Sequence, residues 1–358
     1  MKIAIFTDTY LPTINGISYA TKNWKEELER RGHEVDIVCP EAKECPSNKT
    51  FKSFEIPFYK NYYAGYYPPG EDFSDYDIIH LNSFFTVGFY GYLVAKRNDI
   101  RLVSVVHTPI EEYTEYVTSI KPIQNILGSA YKRFESFILK RSDVRIGLSD
   151  YMEERIESIT GKDDIKRLNN GVNTKFFKPV EDKAFRGKHG IESEKIVGYL
   201  GRLSSEKRVD ELIRFGEKYE MNVLIGGDGP HKDKLESMSS SDKTRFLGFV
   251  ERDEIPSFYS VIDLMIFPST VENDPLTVLE ANACGTPVIG AEAAGLKDSI
   301  KEGINGYLYD PENLEDLKEK VEEAFDELPK LSKSSIEEAE SNSISKTVDD
   351  LLGYYKSR

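Results

Sequence analysis

The residues best suited to chemistry fall in one stretch, Pro268-Ser269-Thr270-Val271-Glu272-Asn273-Asp274-Pro275-Leu276-Thr277-Val278-Leu279-Glu280, which runs on to Ile289. A strand pattern ends at Pro268, a turn carries Glu272, and a short helix from about Pro275 carries Glu280 before Gly285 stops it. Two carboxylates thus stand at opposite ends of one short element, at the mouth of a sheet. Such a pair can act as general acid and base, as in a glycoside hydrolase. It can equally accept hydrogen bonds from sugar and ribose hydroxyls, as the acidic residue of a dinucleotide fold does. Spacing does not separate these readings, and two acids on a solvated helix need do neither. Earlier, Arg202 lies just beyond a strand end and Lys207 near the next helix start, in Gly198-Tyr199-Leu200-Gly201-Arg202-Leu203-Ser204-Ser205-Glu206-Lys207. Two cations there run against the helix dipole. A surface salt bridge through Glu206 would compensate, but a diphosphate accounts better for a fixed guanidinium beside a mobile ammonium. Gly16 sits where backbone amides approach an anion at a helix start, although the loop Asp8–Ser18 lacks the G-x-G-x-x-G spacing and a plain turn would also explain it.

Short strands alternating with helices must position these groups. Lys2–Thr7 reads as a strand, Asp8–Gly16 as a loop and Ile17–Arg31 as a helix with Tyr19, Trp24 and Leu28 on one face, closed by Gly32. Val35–Val38, Asp77–Leu81, Leu102–Val106 and Val144–Leu148 continue the series, which predicts a parallel, doubly wound α/β sheet. The pattern restarts after Pro179, with strands at Lys195–Leu200, Asn222–Ile225, Arg245–Leu247, Leu264–Phe267 and Pro287–Ile289. Two domains joined near 175–193 follow, as a chain of 358 residues also suggests. Residues 343–358 form an amphipathic helix through Val348, Leu351, Leu352 and Tyr355, which caps the second domain or crosses back onto the first.

Composition excludes several classes. With 39% hydrophobic and 30% charged residues the chain is globular and neither fibrous nor disordered. It contains no apolar run long enough to span a bilayer, and Met1 leads straight into a strand, so a cytoplasmic protein is expected. Cys39, Cys45 and Cys284 lack a CxxC spacing and read as reduced thiols without assigned chemistry. The five histidines show no metal-ligand spacing, and no cofactor is expected. Asp75-Tyr76-Asp77 matches the D-x-D of metal-dependent sugar transferases, yet it leads into Ile78-Ile79 and reads as a solvated turn. The net charge of −15 opposes nucleic-acid binding. Residues 1–180 hold 24 Lys+Arg against 25 Asp+Glu, leaving 23 against 37 for the rest, so the acidity belongs to the second half and the first can meet an anionic surface.

Glu272 and Glu280 together resemble the E-x(7)-E signature of the retaining GT-B glycosyltransferases of family four. The similarity covers nearly the whole chain, through Asn15-Gly16, His107-Thr108-Pro109, Asn170-Gly171-Val172-Asn173 with Phe177, Gly201-Arg202-Leu203 with Lys207, Gly226-Gly227-Asp228-Gly229-Pro230, Phe246-Leu247-Gly248 and Gly303-Ile304-Asn305-Gly306-Tyr307. The resemblance implies two Rossmann-like domains facing a cleft, an acceptor-side domain over 1–180 and a nucleotide-sugar domain over 181–342. It implies that Gly16 approaches the donor phosphates or sugar, that His107 contacts the donor sugar, and that Arg202 and Lys207 neutralise the diphosphate without a metal. Glu272 would hold the donor sugar and Glu280 the ribose. Where the family has Phe-Gly this chain has Asp274-Pro275, and proline donates no N–H, so Leu276 and Thr277 are the remaining backbone donors. The hexose donor is of the UDP-glucose, UDP-galactose or GDP-mannose type. A sugar-nucleotide epimerase, a sugar phosphorylase and a sugar-nucleotide binding module are the competing readings.

For the acceptor the expectation is a membrane lipid or lipid-linked sugar, with a soluble sugar or polyol as the alternative. Phe51, Phe54, Phe58, Tyr59, Tyr62, Tyr63, Tyr66 and Tyr67 crowd one stretch with Lys52 and Lys60, as aromatics at a membrane interface do. Lys121–Arg141 combines Ile126, Leu127, Tyr131, Phe134, Phe137 and Ile138 with Lys132, Arg133, Lys140 and Arg141, the pattern of a basic amphipathic helix on an anionic surface. Apolar stripes also serve any doubly wound core. His107-Thr108-Pro109-Ile110-Glu111-Glu112-Tyr113 resembles the corresponding segment of the diacylglycerol glucosyltransferases within the family and favours lipid, with the protein peripheral on the inner membrane face.

Overall fold

The computed structural model describes residues 1–42, 45–47, 49–56, 63–109, 120–240 and 242–357. It divides into two units, Met1–Asn170 with Ile344–Arg358, and Gly171–Ser343.

The first unit is a sheet of eight strands in the order β4-β3-β2-β1-β5-β6-β7-β8. The strands are β1 Lys2–Phe6, β2 Glu34–Pro40, β3 Lys49–Glu55, β4 Tyr63–Tyr67, β5 Ile78–Leu81, β6 Arg101–Val106, β7 Val144–Gly147 and β8 Ile165–Arg167. All neighbours pair in parallel except β3 with β4. Helices α1 Gly16–Arg30, α2 Thr86–Asn98, α3 Lys121–Leu139 and α4 Asp150–Thr160 provide the cover. Asn15 begins α1 by accepting the Ser18 N–H on its side-chain oxygen at 2.8 Å, one of the donors a helix start leaves unpaired. Asp8, half-buried just past β1, accepts from the N–H groups of Phe85 and Val87 and so holds the start of α2.

The chain's last helix, Ile344–Lys356, belongs to this first unit. Val348, Leu351 and Tyr355 are buried on it. Its polar atoms set its register: the Tyr355 hydroxyl meets Nδ1 of the buried His80 at 2.6 Å, and the Tyr354 hydroxyl donates to the Arg167 carbonyl at 2.6 Å. Arg31 pairs with Asp349. In the turn ahead of β5, Asp75 accepts from the Lys2 ammonium and Asp77 from the Lys2 N–H, so both carboxylates of the D-x-D match are engaged in holding β1.

The second unit is an all-parallel sheet in the order β11-β10-β9-β12-β13-β14. Its strands are β9 Ile196–Leu200, β10 Asn222–Gly226, β11 Thr244–Gly248, β12 Leu264–Phe267, β13 Val288–Ala291 and β14 Gly306–Tyr309. The helices are α5 Lys183–His189, α6 Val209–Tyr219, α7 Lys232–Met238, α8 Ile255–Val261, α9 Leu276–Ala283, α10 Leu296–Ser299, α11 Leu314–Asp326 and α12 Leu328–Ser341. β9 and β12 are buried along their whole length, as strands covered by helices on both faces must be. The winding reverses between β9 and β12, and there the loops beyond the strands' carboxyl ends leave to opposite faces and open a crevice. One close approach shapes it. Gly227 has φ +133°, and a Cβ there would lie 1.8 Å from the Gly201 carbonyl oxygen, so only glycine lets the loop after β10 pass the loop after β9.

Candidate functional site

Arg202, Lys207 and Glu272 all come from the two loops that flank this reversal. The loop after β9 is held by the Leu203 N–H on the Asp228 carbonyl at 2.9 Å, and it closes in a single 3-10 turn, Ser205–Lys207. Arg202 is exposed. The Lys207 ammonium is ion-paired with the Glu272 carboxylate in the loop after β12, and both are half-buried. Glu206, the anion that the chain pattern offers for these cations, accepts from the Ser204 hydroxyl at 2.5 Å, while its carbonyl accepts from Ser269 at 3.2 Å. The two loops are therefore tied twice, once through Glu206 and once through Lys207 and Glu272.

Pro275 stands at the cap position ahead of α9, φ −72°, and its carbonyl accepts from Val278 at 3.1 Å. The next N–H groups, of Leu276 and Thr277, occupy the first turn, where an α-helix supplies no internal acceptor and presents its positive end. A cation, a helix start and a carboxylate thus converge on one loop edge.

Glu280 lies farther along α9 and is buried. Its Oε1 accepts from Arg252 at 2.8 Å. Burial raises the Glu280 pKa, and the Arg252 guanidinium opposes that rise. Arg252 also lies 4.7 Å from the Phe177 ring centre, an aromatic face that steadies a cation. The two carboxylates are thus committed to different cations, Glu272 to Lys207 and Glu280 to Arg252, which suits separate hydroxyl-binding tasks better than a shared acid–base step.

Arg252 and Gly295 are the site residues that the sequence reading missed. A glutamate amid Val278, Leu279 and Ala281 calls for a cation, since a buried carboxylate is costly alone. Nothing in Glu251-Arg252-Asp253-Glu254 marks which cation, because that run looks like any solvated turn. Gly295 donates its N–H to the Glu272 carbonyl at 2.9 Å, and a Cβ on it would lie 1.6 Å from the Asn273 carbonyl oxygen. The turn that aims Glu272 rests on that glycine.

In the first unit Gly16 is the first residue of α1, beyond Asn15, whose side-chain N–H donates to the Thr9 hydroxyl at 2.8 Å. A Cβ on Gly16 would meet nothing within 4 Å, so packing does not demand glycine there. His107 follows β6, buried, with its ring centre 5.6 Å from that of Trp24. Burial, and secondarily His80, push its pKa down to about 3, so the ring is neutral across the physiological range.

The expected interfacial residues divide. Phe54, Tyr66 and Tyr67 are exposed on β3 and β4, with the Lys52 ammonium 5.5 Å from the Tyr67 ring centre. Phe51, expected with them, is instead a core residue, because alternate positions of a strand face opposite sides of the sheet. Phe58, Tyr59, Lys60 and Tyr62 lie outside the described residues, as do Ile110, Glu111, Glu112 and Tyr113. On α3, Ile126 is 68% exposed, and Leu127 and Phe137 are also exposed. Ile138, expected on the same surface, is fully buried in the core. Lys132, Arg133, Lys140 and Arg141 border a shallow groove of about 510 Å³ with Phe137 and Ile159. No helix among the described residues is long and apolar enough to cross a membrane.

Comparison with known proteins agrees with this architecture. Residues 181–342 match the family model for glycosyl transferases group 1, and residues 14–176 match that for glycosyltransferase family 4. The alpha-monoglucosyldiacylglycerol synthase of Streptococcus pneumoniae is 28% identical over 94% of this chain and 81% of its own. A GDP-mannose-dependent alpha-mannosyltransferase of Corynebacterium glutamicum is 27% identical over 87% of this chain and 77% of its own. Among solved structures, that of Anabaena HepE in complex with UDP and glucose superposes with a TM-score of 0.78 at 18% identity, covering 99% of this chain and 98% of that one, which establishes a common fold.

Proposed function

This chain belongs to the group 1 glycosyltransferases, with the two Rossmann-like units of the GT-B fold, and from that premise we propose that it moves a hexose from a nucleoside diphosphate sugar to a membrane lipid or lipid-linked acceptor, with retention and without a metal ion. The observation that carries the donor half is the Lys207–Glu272 pair at the β9/β12 reversal. In this reading the diphosphate takes Lys207 from Glu272, Arg202 closes on the same phosphates, and the first-turn amides of Leu276 and Thr277 share the charge. Glu272, released, accepts from the hydroxyls of the donor sugar. Glu280, oriented by Arg252, accepts from the ribose hydroxyls. The second unit is then the donor unit and the first unit the acceptor unit, in which Gly16 offers backbone amides to the donor and His107 a neutral ring to its sugar.

The bond between the anomeric carbon and the diphosphate oxygen breaks, and the negative charge that develops on the leaving group is what Arg202 and Lys207 stabilise. The acceptor hydroxyl attacks from the same face and its proton passes to the departing phosphate. The exposed apolar and basic residues of α3, with Phe54, Tyr66 and Tyr67, support a peripheral, anionic membrane surface as the place where the acceptor is met. The relative from Streptococcus pneumoniae, named for a glucosyl lipid, supports the same acceptor class. The Corynebacterium glutamicum relative keeps a GDP-mannose donor as the alternative to a UDP-hexose.

Incubation of the protein with radiolabelled UDP-glucose, UDP-galactose or GDP-mannose and diacylglycerol in anionic vesicles tests this. An α-linked glycolipid, formed undiminished in excess chelator, is the expected product. Transfer to soluble sugars or polyols alone would replace the lipid half of the reading, and an isomerised donor would make the enzyme an epimerase.

A further inference from the structure

Away from the donor site, the sulfur atoms of Cys39 and Cys45 lie 3.3 Å apart as free thiols. Cys39 is near the end of β2, opposite Thr50 of β3, with no exposure to solvent. Cys45 is partly exposed and donates its N–H to the Ala42 carbonyl at 3.1 Å. Five residues separate the two cysteines, a spacing with no meaning of its own. The connection that leaves β2 brings them together. The arrangement gives one thiol that a reagent can reach and a second that only its neighbour reaches. The hydrogen bond between the two sulfurs lowers the Cys45 pKa, while the same contact, followed by burial, raises that of Cys39. Attack by Cys45 is favoured by the resulting thiolate share.

We propose that Cys39 and Cys45 are a covalent modification site, an intramolecular disulfide formed at the expense of a small-molecule disulfide. The Cys45 thiolate attacks one sulfur of the reagent, breaks its S–S bond and expels one thiolate. The Cys39 thiol then loses its proton and attacks the Cys45 sulfur of the mixed disulfide, forming the Cys39–Cys45 bond and expelling the second thiolate. Two protein thiols are oxidised, one reagent disulfide is reduced to two thiols, and the two protons from the protein end on those products. Closure brings the sulfurs from 3.3 Å to about 2.0 Å, a travel of roughly 1.3 Å that side-chain torsions can supply. Excess dithiol reverses the reaction.

Intact mass and peptide mapping of the full chain, reduced and then exposed to oxidised glutathione, test the assignment. The wild-type protein and Cys284→Ser are expected to lose the mass of two hydrogens, carry no glutathione, and yield one crosslinked peptide containing Cys39 and Cys45. Cys39→Ser is expected to stop at a single glutathione on Cys45. A lasting glutathione adduct on wild-type Cys45, an unreacted Cys45, or a crosslink that includes Cys284 would each overturn the proposal.

Discussion

Lys207 and Glu272 neutralise each other, so an incoming diphosphate competes with a carboxylate for one ammonium. Lys207→Ala should lower kcat/KM about ten- to a hundredfold, the equivalent of about 1.5–3 kcal/mol for one charge-assisted hydrogen bond, with an unchanged melting temperature; full activity in the folded variant would remove Lys207 from the site. Glu272→Gln removes the competitor, and calorimetry should find nucleoside diphosphate bound at least as tightly as by wild type while transfer falls. Glu280→Gln should show the reverse, a weakened nucleoside diphosphate affinity, and unchanged affinity would dismiss the ribose assignment. His80 and His107 extend the argument to pH. Burial lowers their pKa values to about 4 and about 3, so below the ordinary value of 6.5 the unfolded chain binds protons that the folded chain refuses. Stability is therefore full above 6.5 and falls with pH through the interval down to those folded values, at about 1.4 kcal/mol per unit for each ring. Urea titrations at pH values on either side of 6.5 should show this slope, and His107→Gln should lose part of it. The charged types at 202, 207, 272 and 280 were legible because each interrupts an apolar pattern at a strand end or helix turn. Arg252 was not, since its role depends on Phe177 and Glu280, both distant in the chain.

β9 and β12 bring residues 202–207 and 268–277 to one edge only because the sheet order reverses between them. The fully buried strands were readable as short apolar runs. β3, β4 and β8 were not, because β4 and β8 are the edges of the sheet and β3 lies next to the edge, where strands mix tyrosine, lysine and arginine with one covered face, and so the buried Phe51 of β3 reads in the sequence as one more interfacial aromatic. Gly295 shows the same limit, since a glycine's need is set by what passes beside it, here the carbonyl of Asn273. Gly295→Ala should displace the Glu272 turn, at an overpacking cost of about 1–3 kcal/mol. The expected result is a lower melting temperature together with a raised donor KM, and a wild-type KM would show that the turn does not aim Glu272. On α3 the exposed Ile126 supports nothing in the core. Ile126→Glu should therefore leave the melting temperature unaltered and reduce cosedimentation with anionic vesicles, and undiminished sedimentation would detach this helix from membrane binding.

For the molecule as a whole, the amphipathic character of the last helix was plain in the sequence, but its destination was not. An apolar stripe through Val348, Leu351, Leu352 and Tyr355 carries no address, and the contacts of Tyr355 with His80, Tyr354 with the Arg167 carbonyl and Arg31 with Asp349 supply one. A chain ending at Ser343 should lose cooperative unfolding in the first unit, because Trp24, His80 and their neighbours lose the surface that covers them. A fragment of 171–343 should keep its far-ultraviolet spectrum, and its collapse would mean that the second unit leans on residues outside that span. The same connectivity orders events during synthesis. Residues 1–170 leave the ribosome first, yet they wait for a helix that is made after all of 171–343, so on a growing chain the second unit is complete before the first can close.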